Sequence, residues 1–264
     1  MNQVAQGMQS IKALGRYAAG FAAVSLFPPV CAGCRRQIAV PGALCAACWP
    51  KIRFLGPPWC EIMGTPFAHD LGQGILSAEA IADPPPFARA RAAVAYSGVA
   101  RELAQSLKYR DRVDLARWMA DWMMRAGSQL IVETDVIVPV PLHWTRFLSR
   151  RFNQSAELGR AIAAQAAKRY EPEALTRVKA TRRQVGLRVE QRRSNVRAAF
   201  KVPTTSEIDI SGRRVLLIDD VYTTGATVRA AAKALLRGGA AEVDVLTFAR
   251  VLPGDFRPDE SVPI

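Results

Sequence analysis

The stretch "VLLIDDVYTTGATV", residues 215–228, decides the fold. Four apolar residues end in two adjacent acids, Asp219 and Asp220, and a cluster of small hydroxyl residues with one glycine follows. The apolar run reads as a buried strand. "GATVRAAAKALLRGG" after it reads as a helix closed by Gly238 and Gly239. In such a unit Asp219 and Asp220 fall at the carboxyl end of the strand, where open α/β sheets bind their ligands.

The turn "TTGAT" (Thr223, Thr224, Gly225, Ala226, Thr227) meets the start of that helix. Backbone N–H groups there lack intrahelical partners and carry the positive end of the helix dipole, so the turn suits a phosphate. Three threonine hydroxyls add donors, and Gly225 permits close backbone approach. The two acids cannot bind that phosphate. They suit sugar hydroxyls, or a Mg2+ ion with its waters. A plain helix cap beside two solvated acids is the simpler reading, but a cap needs only one such residue. A 5-phosphorylated ribose with vicinal hydroxyls and a metal-bound leaving group has all three matching parts.

Outward from this stretch, strand and helix patterns alternate. "RAAVAYS", "DVIVPVP" and "EVDVLTFARV" read as strands. "VARELAQSLKYR", "RVDLARWMADWMMRAG" and "NQSAELGRAIAAQAAKRY" read as helices, the second with Leu115, Trp118, Met119 and Trp122 on one core-facing side. Apolar strands alternating with helices predict a parallel sheet covered on both faces. By composition the chain divides into an N-terminal helix (1–30), a cysteine-rich module (31–64), a Gly/Pro/Ala-rich linker (65–88) and the α/β domain (89–264).

The apolar fraction of 50% and charged fraction of 22% are those of an ordinary globular protein, whereas the net charge of +13 favours an anionic partner. Nucleic acid, a phosphorylated small molecule and a membrane surface all satisfy it. The apolar stretch at 17–27, behind Lys12 and Arg16, imitates a signal peptide but is too short to span a bilayer. With clustered thiols directly after it, a helix ending at Pro28 and a cytoplasmic location are expected.

"CAGC" and "LCAAC" place Cys31, Cys34, Cys45 and Cys48 as two C-x-x-C knuckles, the donor set of a structural Zn2+. Buried or redox thiols are the alternative. Basic residues supply the rest of the site. Arg146, Arg150 and Arg151 follow the strand "DVIVPVP" and suit pyrophosphate oxygens. Residues 175–200 hold eight basic residues and one acid, including Arg182 and Arg188, a one-sided charge that an anion would neutralise.

"VLLIDDVYTTGATV" resembles the phosphoribosyl pyrophosphate (PRPP) motif of type I phosphoribosyltransferases. "LKYRDR", "VPVPLHWTRFLSRRFNQSAELGRAIA" and "TRRQVGLRVEQRRSNVRAAF", in this order behind a cysteine-rich start, resemble the ComF/GntX family. The resemblance implies a zinc ribbon before a type I phosphoribosyltransferase-like domain. Asp219 and Asp220 would be its catalytic acids and residues 223–227 its 5-phosphate loop. A pyrophosphate loop would run from Pro139 to His143; His143 is a candidate acid or base, although a lone histidine is more often a structural polar residue. A mobile loop would carry Arg182, Gln184 and Arg188. PRPP or a nucleotide, Mg2+, single-stranded DNA and a competence helicase are the implied partners. No Walker motif is present, so strand translocation would need that helicase. The chain departs from the family after the second knuckle: "WCEIMG" keeps Cys60 but has Met63 at the partner position, so Cys60 is expected to be a free buried thiol.

Overall fold

The short β-branched runs become the strands of one parallel sheet. A computed structural model describes residues 28–40, 44–109, 112–142, 152–178, 198–203 and 209–252. It divides into two units, Met1–Pro50 and Lys51–Ile264. The strands of the larger unit are β1 (Ala90–Ala95), β2 (Val136–Pro139), β3 (Arg169–Tyr170), β4 (Thr176–Arg177), β5 (Phe200–Lys201), β6 (Arg214–Tyr222) and β7 (Glu242–Arg250). Its helices are α1 (Ala78–Ala82), α2 (Gly98–Tyr109), α3 (Asp114–Ala126), α4 (Ser128–Glu133), α5 (Gln154–Ala166) and α6 (Ala226–Arg237).

Five strands form the main sheet in the order β1-β7-β6-β2-β3, and every pairing in it is parallel. The doubly covered α/β architecture expected from the sequence is therefore present. All of β1 and β2 is buried, and β6 is buried from Val215 to Asp220, as strands covered on both faces require. From β2 the chain crosses through α5 to β3, whereas from β6 it crosses through α6 to β7, in the opposite direction. Right-handed crossovers then put α5 and α6 on opposite faces and open a crevice between β2 and β6.

Helix α3 buries Leu115, Ala116, Met119, Ala120, Trp122 and Met123. Trp118 lies at the margin of that face and packs on Trp122 at a centroid distance of 4.2 Å. At the amino ends of the central strands an ionic cluster joins Arg89 to Asp244 (2.7 Å) and Glu133 (2.8 Å), and Arg214 to Glu133 (2.7 Å) and Glu242 (2.8 Å). The outer edge of β1 is covered rather than open: Leu55 N–H donates to Ala93 O and Ala95 N–H to Arg53 O.

Residues 65–88 are exposed along 68–74 but anchored at two points. They carry α1, capped by Ser77, and Phe87, which is 3% exposed and belongs to the same apolar cluster as Val215 and Val243. Strands β4 and β5 form a small antiparallel pair, extended by Val178 N–H donating to Ala199 O. The N-terminal helix expected over 1–30 lies almost wholly outside the described residues.

Candidate active site

Strand β6 outlasts its neighbour. Pairing with β2 ends at Pro139 opposite Ile218, while pairing with β7 continues to Tyr222 opposite Arg250. Asp219 and Asp220 thus stand where β2 has already left the sheet, at the mouth of the crevice. The structure brings together the acid pair and the turn that follows it.

Both acids are fixed by donors. Asp219 Oδ1 accepts from the Ser155 hydroxyl (2.9 Å) and from the Asp220 N–H (2.9 Å). Asp220 Oδ1 accepts from the Val221 N–H at 2.8 Å, and Lys108 Nζ stands 3.2 Å from Asp220 Oδ2. Burial, with the charge of Asp220 beside it, pushes the Asp219 carboxyl up to about 7 against the pull of Ser155, the Asp220 N–H and Lys108. Ser155 reaches this place because Asn153 caps α5, its Oδ1 accepting from Ser155 N–H while its Nδ2 donates to Val140 O.

The turn has the form expected of an anion cradle. Gly225 occupies the N-cap of α6 with φ 72°, in the left-handed region, and no side chain caps that helix. A Cβ on Gly225 would lie 2.2 Å from Tyr222 Oη. Gly225 and Ala226 are buried, Thr224 and Thr227 half-buried and Thr223 exposed, and Thr224 Oγ1 is buried without a hydrogen-bond partner. A buried hydroxyl beside an uncapped helix start is what an incoming phosphate oxygen would satisfy.

Tyr96 directly follows β1, with Lys108 and Asp220 close enough to act on its hydroxyl. Burial holds its hydroxyl above the usual range, opposed by the charges of Lys108 and Arg101 and by a hydrogen bond with Gln105. Sequence patterns alone gave no role to Ser155 or Lys108. Lys108 sits in the "LKYRDR" stretch, and only the fold carries it to Asp220. His143, Arg146 and Arg150, and likewise Arg182, Gln184 and Arg188, lie outside the described residues.

In the smaller unit the sulfurs of Cys31, Cys34, Cys45 and Cys48 all lie within 4.8 Å of one another, and none is in a disulfide. Backbone donors already point at them, Cys45 N–H reaching Cys31 Sγ at 3.3 Å. Burial opposes ionisation of Cys31, yet hydrogen bonds from the backbone at Cys34, Cys45 and Gly33 lower it to about 6, while burial and its neighbours' sulfurs push Cys48 to about 12. Four sulfurs this close cannot all be thiolates without a cation between them, so the donor set fits a tetrahedral Zn2+.

Comparison with known proteins finds both kinds of domain, the first running past Pro50 into the larger unit. The double zinc ribbon domain matches residues 22–80, and the phosphoribosyl transferase domain matches residues 153–262. The chain is similar to the DNA utilization protein YhgH of Salmonella typhimurium strain LT2, 31% identical over 231 residues that cover 85% of this chain and 98% of that protein. It is also similar to the competence protein ComFC of Bacillus subtilis strain 168, 27% identical over 162 residues, 61% of this chain and 63% of that one. Among solved structures, the glutamine PRPP amidotransferase of B. subtilis matches 54% of this chain and 30% of its own, at 22% identity and a TM-score of 0.34. Among the described residues no helix is long and apolar enough to cross a membrane.

Proposed function

Since the chain belongs to the ComF/GntX family, with a zinc ribbon ahead of a phosphoribosyltransferase-like domain, we propose that it binds PRPP in the crevice between β2 and β6 and transfers the phosphoribosyl group to an acceptor. The observation that carries this reading is the buried acid pair, Asp219 and Asp220, standing directly before the uncapped start of α6. The 5-phosphate would sit on residues 223–227 and the ribose hydroxyls on the two acids. Mg2+ bound with PRPP would neutralise the pyrophosphate as it leaves. Arg146, Arg150, Arg182 and Arg188 are proposed to meet that pyrophosphate.

Departure of pyrophosphate leaves positive charge at the anomeric carbon, so little bond chemistry falls to the protein. Positioning by the phosphate turn and the negative field of the acid pair supply most of the barrier reduction. Lys108 holds Asp220 in place until the ribose hydroxyls arrive. The acceptor would enter over Tyr96 and Gln105.

Calorimetric titration of PRPP with Mg2+ into wild type and into Asp219→Asn/Asp220→Asn tests this reading. Binding by wild type that the double variant loses is the expected result. A folded, zinc-loaded wild type that takes up no heat from PRPP would refute it. The names of the relatives favour a second reading, a non-catalytic factor for DNA utilisation or competence that binds single-stranded DNA or a helicase partner. Retention of DNA at physiological salt, without PRPP turnover, would select that reading.

A further inference from the structure

The first zinc knuckle has a twin in the larger unit. Around Cys31, the Cys31 N–H donates to Arg36 O (2.7 Å), Arg35 N–H to Cys31 O (2.9 Å) and Ile38 N–H to Pro29 O (2.9 Å), with Val30 bridged to Gln37. Around Cys60 the same bonds recur: Cys60 N–H to Thr65 O (2.8 Å), Gly64 N–H to Cys60 O (2.8 Å) and Phe67 N–H to Pro58 O (2.8 Å), with Trp59 bridged to Pro66. The residue closing each knuckle has positive φ, 60° at Arg35 and 63° at Gly64.

The second halves correspond too. Cys45 N–H donates to Cys31 Sγ at 3.3 Å, and Ser77 N–H donates to Cys60 Sγ at 3.2 Å. Trp49 N–H then donates to Cys45 O, and Ile81 N–H to Ser77 O. These matches align Cys60, Met63, Ser77 and Ala80 with the four zinc-binding corners Cys31, Cys34, Cys45 and Cys48.

Such a set does not fit zinc. Ala80 offers no donor atom, Met63 offers a neutral thioether, and the Ser77 hydroxyl is engaged as the cap of α1, accepting from Ala80 N–H at 3.3 Å. Instead Cys60, Met63 and Ala80 are 0%, 0% and 2% exposed and belong to the apolar cluster that contains Phe87 and Tyr222. Something else must hold the knuckle. Arg250, at the end of β7 and only 4% exposed, donates from Nη1 to Met63 O. Its guanidinium lies 4.3 Å from the centre of the Tyr222 ring, and Tyr222 Oη fills the space beneath Gly225. Arg229, in the first turns of α6, donates to Asp83 O (3.0 Å) and Pro84 O (3.3 Å) just beyond α1.

The double zinc ribbon match over residues 22–80 takes in this second ribbon; we propose that it holds no zinc, and that Arg250 takes over the metal's task, fixing the Met63 corner and, through Tyr222, the turn at Gly225. One chain then carries one zinc, and the second ribbon serves as the foundation of the turn. Calling that turn a phosphate cradle rests on the function proposed above; the ribbon assignment does not.

The test uses the full-length chain. Zinc is counted by mass spectrometry in wild type, in Cys60→Ser and in Met63→Cys/Ser77→Cys/Ala80→Cys. One zinc per chain is expected in the first two and two in the third. Two zincs in wild type, or loss of zinc from Cys60→Ser, would overturn the metal-free assignment, and neither count depends on the triple variant folding. A folded triple variant that stays at one zinc would overturn the corner alignment. For the clamp, hydrogen exchange is followed in Arg250→Met. Amides of residues 222–227 should exchange about tenfold faster while those of 136–139 keep their protection. Equal acceleration in both segments, or none in 222–227, would overturn the clamp. Failure of wild type to bind PRPP would remove the phosphate reading alone, since zinc counts and exchange rates do not use that ligand.

Discussion

Lys108 Nζ lies 3.2 Å from Asp220 Oδ2, on a side chain 31% exposed facing one 11% exposed. The pair joins α2 to the end of β6 and sets a cation beside two crowded carboxylates. Lys108→Ala is expected to destabilise the fold by about 1–3 kcal/mol at pH 8, because it leaves two buried acids facing each other. Acidification should shrink the deficit, since protonating Asp219 relieves the repulsion. A thermal shift equal at pH 5 and pH 8 would contradict this role.

Asp219 gives a pH signature of opposite benefit. Burial raises its folded value from 3.8 to about 7, so its contribution to stability is fully present below the unfolded value and is lost as pH rises towards 7. Asp219→Asn keeps Oδ1 as acceptor for Ser155 and the Asp220 N–H but never ionises. It should therefore be more stable than wild type by a few kcal/mol at pH 8 and equal to it near pH 4. Chemical denaturation across that range checks the crossing, and PRPP affinity should fall in the same variant.

Gly225 combines a left-handed backbone with a filled underside. Gly225→Ala carries the cost of positive φ, about 1–2 kcal/mol, plus displacement of Tyr222. Loss of PRPP binding by at least about tenfold is expected, with far-ultraviolet circular dichroism unchanged. Wild-type affinity in this variant would mean that the turn does not contact the ligand.

The ionic cluster at the other end of the sheet serves as the control. Asp244 is 5% exposed and takes both Nε and Nη2 of Arg89. Asp244→Ala should lower stability by about 2–4 kcal/mol, because the Arg89 guanidinium loses its buried partner. PRPP affinity measured well below the lowered melting temperature should not change, since the cluster lies at the amino ends of the strands.

The apolar runs at 136–139 and 215–218 announced buried strands because such runs have few other stable homes, and the "TTGAT" turn announced the start of α6 because a glycine among small hydroxyl residues suits a helix entry. Ser155 and Lys108 were silent, since a serine in a first helical turn and a lysine near a helix end are ordinary surface choices until the fold aims them at Asp219 and Asp220. Residues 65–88 read as a linker because they are rich in Gly, Pro and Ala and run into "DPPPF". Phe87 and Ala80 are nonetheless drawn into the core, a pairing no local pattern encodes. Of the second ribbon only the "WCEIMG" corner was legible, through Cys60; Ser77 and Ala80 carry no ligand signature, and the backbone bonds alone align them with Cys45 and Cys48.

The bond from Val178 N–H to Ala199 O has a practical corollary. Positions 178 and 199 are thereby held side by side although far apart in the sequence. A pair of probes introduced at these two positions would therefore sit at a fixed short separation, a built-in ruler for the pairing of β4 with β5.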